Sequence, residues 1–164
     1  MATQVQFEIF RAAYQQETER STRLESRAKF YLTIVTFYLG AIAFKFSDVL
    51  AFAKEYHIAP IFYISTGILL LASLLFAILS MRIRTYEAPF DPEQIIKSFG
   101  KSPPKDDNFL DQRLVDYTVA INRNRAVNNH VANLLSGSSW LLFAGISLQL
   151  VTFIMALQPL NSSR

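Results

Sequence analysis

The sequence predicts an all-α membrane protein: three transmembrane helices, cytosolic helical extensions of the first and third spans, and an oligomeric bundle. Three observations carry that prediction. Of the 164 residues, 51% are hydrophobic and 14 are Phe, with a mean hydropathy of +0.22, high for a soluble domain. These residues gather in three runs, FYLTIVTFYLGAIAF from Phe30, PIFYISTGILLLASLLFAILSM from Pro60 and SSWLLFAGISLQLVTFIMAL from Ser138. The basic residues, finally, alternate between the segments that separate the runs. A soluble bundle with a buried hairpin would have too little polar chain to cover three such runs.

The chain begins with a polar, amphipathic stretch, MATQVQFEIFRAAYQQ, unlike a secretory leader, so insertion is expected to proceed through the spans themselves. Residues 1–29 are expected to form a cytosolic helix running straight into the first span. Phe7, Phe10, Tyr14, Glu17, Ser21, Leu24, Ala28 and Tyr31 fall on alternating steps of three and four, the spacing of a helix-packing seam. The first span, 30–46, is near the lower limit for crossing hydrocarbon. The second, 60–81, and the third, 138–157, have the roughly 20 residues that a crossing needs. FSDVLAFAKEYH from Phe46 reads as a short amphipathic segment on the outer interface.

Residues 82–133 form a cytosolic loop and helix. Pro89 and Pro92 stop the second helix, the Asp91–Pro92 pair and Gly100 predict one or two turns between them, and Asp107 or Asn108 caps a new helix. From Phe109 to Leu157 there is no Pro, so one helix on the order of 70 Å long is expected. Arg11, Arg20, Arg23, Arg27 and Lys29 precede the first span, and eight further Lys and Arg from Arg82 to Arg125 lie between the second and third. The positive-inside rule then puts the N-terminus in the cytoplasm and the C-terminus in the periplasm of a bacterial inner membrane. The net charge of +3 needs no nucleic-acid partner. The chain has no Cys, so thiolate sites and disulfides are ruled out. No carboxylate pair, Ser/His/Asp set or Gly-rich phosphate loop points to catalysis, and no metal or cofactor is expected.

The most unusual stretch is NRNRAVNNH from Asn122, because Asn is a poor helix former that competes for backbone hydrogen bonds. Two stripes pass through it. Leu110, Leu114, Tyr117, Ile121, Asn124, Asn128, Val131 and Leu135 keep a strict four-three alternation, with two Asn layers inside a packing seam. Thr118, Asn122, Arg125, Asn129, Ala132, Ser136 and Ser139 form a neighbouring line that is polar or small throughout. It continues toward Phe143, Ser147 and Leu150. Counting back from the two membrane boundaries puts Glu17 near the level of Asn128.

The polar residues either form solvated surface or take one of two arrangements. In one, Asn124 and Asn128 pack against Glu17 and Ser21 within one subunit, a polar layer in which buried Asn sets register and oligomer state. In the other, Asn122, Arg123, Arg125 and Asn129 face a symmetry axis and bind an anion, since rings of Arg attract anions and amides bond phosphate or a base edge. Phe143, Ser147 and Leu150 would then form the constriction of a pore.

The layout resembles a known group. ETERSTRLESRAKFYLTIVTFYLGAI, a hydrophobic hairpin, TYEAPFDPEQII and LVDYTVAINRNRAVNNH before a last span are similar to the SLATT-like small membrane effectors of bacterial nucleotide-signalling antiphage systems of the CBASS and Hailong kinds. The third span departs from that group's two-span layout. The resemblance implies a homo-oligomer that permeabilises the inner membrane under control of a nucleotide or oligonucleotide made by a partner enzyme. Our own expectation for its size is a tetramer. The competing expectation is a non-conducting anchor whose basic loop recruits a soluble partner.

Overall fold

The computed structural model describes residues 3–45, 59–83, 86–89 and 106–157. Their regular structure is helical throughout: α1 (Gln4–Phe44), α2 (Ala59–Arg82) and α3 (Asp106–Leu157). All three are long and apolar enough to cross a membrane. The interfacial segment after Phe46 and the short helix expected near 92–99 lie outside the described residues. α1 opens with a capping box: the Gln6 N–H donates to Thr3 Oγ1 at 3.3 Å and the Thr3 N–H to Gln6 Oε1 at 3.0 Å. Two otherwise unpaired donors of the first turn are thereby satisfied.

The chain divides into two compact units, one of Met1–Glu25 and Ile83–Val131, the other of Ser26–Arg82 and Ala132–Arg164. The second unit is built inside-out relative to a soluble bundle. Its exterior carries Phe30, Phe37, Ile61, Ile64, Ile68, Leu71, Leu75 and Trp140, all exposed. Hydroxyl side chains share its interior with apolar ones: Thr66, Ser73, Ser80 and Ser138 are as fully buried as Val35, Leu70 and Ala77. That inversion suits a lipid solvent, where apolar exteriors cost nothing and helices associate through small residues and interhelical hydrogen bonds.

The buried positions of α2 repeat every seven residues in two lines, Tyr63, Leu70 and Ala77 beside Thr66, Ser73 and Ser80. Opposite them α3 buries Leu135, Ser138, Leu142, Gly145 and Thr152 at steps of three, four or seven. Ser73 and Ser138 bond reciprocally: each hydroxyl donates to the other's carbonyl, at 2.8 and 2.9 Å, with the two oxygens 3.0 Å apart. A Cβ built on Gly145 would lie 3.1 Å from Leu70 Cδ2, and one on Gly137 3.1 Å from Phe76 Cδ1, so both glycines permit the close approach. Thr66, Ser80 and Thr152 donate to carbonyls of their own helices, so their hydroxyls are satisfied where water is absent. α1 packs through Val35, which joins Leu70 and Leu142 in an apolar cluster flanked by Tyr31, Ile34 and Tyr38. The Tyr63 hydroxyl donates to the Ile42 carbonyl near the end of α1, where helical carbonyls lack intrahelical donors.

Candidate functional site

The first unit is assembled on the Asn-rich part of α3. At one end Tyr117 receives Phe7 and Tyr14 edge-on, with ring centroids 5.4 and 5.9 Å away. This aromatic layer holds the amino-terminal half of α1 against α3, and the next layer is polar. Glu17 is 93% buried there, and Asn124 and Asn128 are more deeply buried still.

Asn128 Nδ2 donates to Glu17 Oε2 and to the Glu17 carbonyl, both at 2.9 Å. Arg125 Nε donates to Glu17 Oε1 at 3.0 Å, and Arg20 stands 3.6 Å from Oε2. Arg20 also donates to Asn129 Oδ1 at 2.8 Å. One buried carboxylate thus gathers two guanidinium groups and one amide, and Arg20 links it to a second amide, that of Asn129. Burial pushes the Glu17 carboxyl up, but the hydrogen bonds from Asn128 and Arg125 and the charges of Arg20 and Arg125 outweigh it. The result is a pKa below the ordinary 4.5, so Glu17 is ionised at neutral pH.

The second Asn layer binds a short segment without regular structure, residues 86–89, the strap. Asn124 Oδ1 accepts from the Glu87 N–H and Asn124 Nδ2 donates to the Glu87 carbonyl, each at 3.1 Å. The side-chain amide therefore pairs with both main-chain groups of one residue, as a neighbouring strand would. Tyr86 donates its hydroxyl to Asn128 Oδ1, and Arg123 forms an ion pair with Glu87. Tyr14 adds a long contact, 3.5 Å, from its hydroxyl to the Glu87 carbonyl. Pro89 disfavours helical backbone at Ala88, the residue before it, so a helix is disfavoured through the strap.

The predicted residues thus separate into groups. Glu17, Asn124 and Asn128 come together in one buried network within a single chain. Asn122, Arg123, Arg125 and Asn129 lie on the exposed side of α3. Asn122 and Arg125 line one end of a groove of about 240 Å³ whose walls include Ile9, Phe10 and Ile121. Arg123 is directed to the strap and Asn129 to Arg20, so these four residues do not form one cluster in the monomer. In the second unit Phe143 and Leu150 are exposed, at 65% and 57%, and Ser147 is half-buried. Gln149 Oε1 is buried and accepts no hydrogen bond among the described residues. No cluster of three potential metal ligands occurs among the described residues.

Sequence reasoning missed the strap as the partner of Asn124, and Arg20 as a member of the Glu17 layer. No periodic signal marks either, because both rest on hydrogen bonds between segments far apart in the sequence. Compared with protein-family models, curated proteins and solved structures, the chain matches none.

Proposed function

We propose that the chain is a membrane effector of antiphage defence, a homo-oligomeric ion pore of the bacterial inner membrane whose cytosolic unit is regulated by an anionic nucleotide or oligonucleotide. The observation that carries the pore reading is the outward line of α3 in the second unit. Ser136 is exposed there, Ser139 and Ser147 are half-buried, and Phe143 and Leu150 alternate with them. The adjoining line of the same helix is already used by Leu135, Ser138, Leu142 and Gly145 within the chain. Small hydroxyl residues on a lipid-facing helix mark a surface for another helix, and a second copy is the simplest one. The defence assignment rests on the resemblance of layout.

The guanidinium pairs give the regulator a mechanism. Arg125 and Arg123 already hold Glu17 and Glu87, so an arriving phosphate would exchange with carboxylates of the same chain. The side chain of Arg125 is 55% exposed and that of Arg123 64%, so both remain accessible to such exchange. Asn122 and the groove beside Arg125 would contact the rest of the ligand. Planar-bilayer recording on purified protein, paired with its native mass, tests the proposal. It predicts a defined oligomer and current steps that a nucleotide turns on or off. A membrane-inserted oligomer that never conducts would support the non-conducting anchor instead.

A further inference from the structure

We propose that Asn124, Asn128 and Arg123 form a peptide-binding site, with residues 86–89 as its resident and displaceable occupant. The ligand that fits is an extended segment of a partner protein in which a tyrosine directly precedes an acidic residue. Asn124 reads only main chain, a donor and an acceptor that any extended residue offers. Selectivity comes from the neighbours: Asn128 accepts the phenolic hydroxyl and Arg123 pairs with the carboxylate of the following residue. Three side chains on one helix therefore recognise two consecutive residues, one by its backbone and both by their tips.

The same geometry makes the occupant exchangeable. α3 supplies the site from a helix whose own backbone is hydrogen-bonded within itself, so releasing the strap requires no refolding of α3. The Arg123–Glu87 pair lies at the open rim, with side chains 64% and 41% exposed, where an ion pair holds weakly. A competing segment of matching chemistry would remake every polar contact that it breaks. The strap then acts as a built-in inhibitor of partner docking, independently of whether the membrane part conducts.

The probe is a labelled peptide, TYEAPF, copied from residues 85–90, titrated by fluorescence anisotropy onto full-length protein in detergent. Glu87→Lys sets like charges against each other at the rim and loosens the resident strap without altering a buried group. This variant is expected to bind the peptide severalfold more tightly than the unaltered chain, the effect of losing one exposed ion pair of the strap. Adding Arg123→Glu re-pairs the resident and removes the gain, and a TYKAPF peptide shows no gain with Glu87→Lys alone. Equal binding of TYEAPF by the unaltered and Glu87→Lys chains would overturn the proposal. So would full retention of the gain in the Glu87→Lys/Arg123→Glu protein. Both substitutions are on exposed side chains, and circular dichroism checks that helix content is kept.

Discussion

Single side chains in the first unit differ sharply in what they contribute. Asn124→Ala leaves the Glu87 N–H and carbonyl without their amide partner, so it should destabilise the unit by about 1–3 kcal/mol. Arg123→Ala breaks only an exposed ion pair and should cost less than about 1 kcal/mol. Thermal unfolding in detergent would rank the two, and a reversed order would contradict the clamp. Glu17 adds a pH dependence of definite sign. Its folded-state pKa lies below the ordinary 4.5, so its stabilisation is fully present above about pH 4.5 and is lost as pH falls through the lower folded value. The unaltered chain should therefore melt at falling temperatures on acidification below pH 4.5. Glu17→Gln should melt lower at neutral pH and lose that acid-dependent fall.

The helices themselves were largely legible in the sequence. Apolar runs of spanning length, the absence of Pro after Phe109 and the four-three alternation predicted the elements and their buried faces. Glu17 and Asn128 could be placed at one level by counting from the membrane boundaries. The strap could not be placed, because its position depends on tertiary hydrogen bonds that leave no periodic trace in four residues. The pairing of Arg123 and Arg125 with carboxylates far away in sequence was hidden for the same reason. What sequence did not convey about the spans was how closely α2 and α3 approach. Gly145→Leu should push them apart at Leu70, costing about 1–3 kcal/mol in overpacking. Gly40, whose added Cβ meets nothing within 4 Å, should tolerate Ala with no loss of stability. Unfolding in a graded detergent–SDS series measures both, and a loss at Gly40 equal to that at Gly145 would contradict the packing described.

Among the described residues, the seam side of α3 makes intrachain contacts in both units, while Ser136, Ser139, Phe143, Ser147 and Leu150 stay exposed or half-buried. In the pore reading, Leu150→Ser replaces an apolar constriction with a hydroxyl and should raise ion leak from liposomes severalfold. A flux unchanged from the unaltered protein would remove Leu150 from the conduction path. The groove near Arg125 gives a matching test of the regulator, since Asn122→Asp adds negative charge at its rim and should weaken nucleotide binding while native mass stays the same. A pore requires above all that another copy cover the outer line of α3. The chain has no native cysteine, so Ser136→Cys and Ser147→Cys each give a single, unambiguous cross-linking handle in native membranes. A short bis-maleimide should convert both variants into covalent dimers. Chains that stay monomeric at both positions would contradict assembly through this face and, with it, the pore.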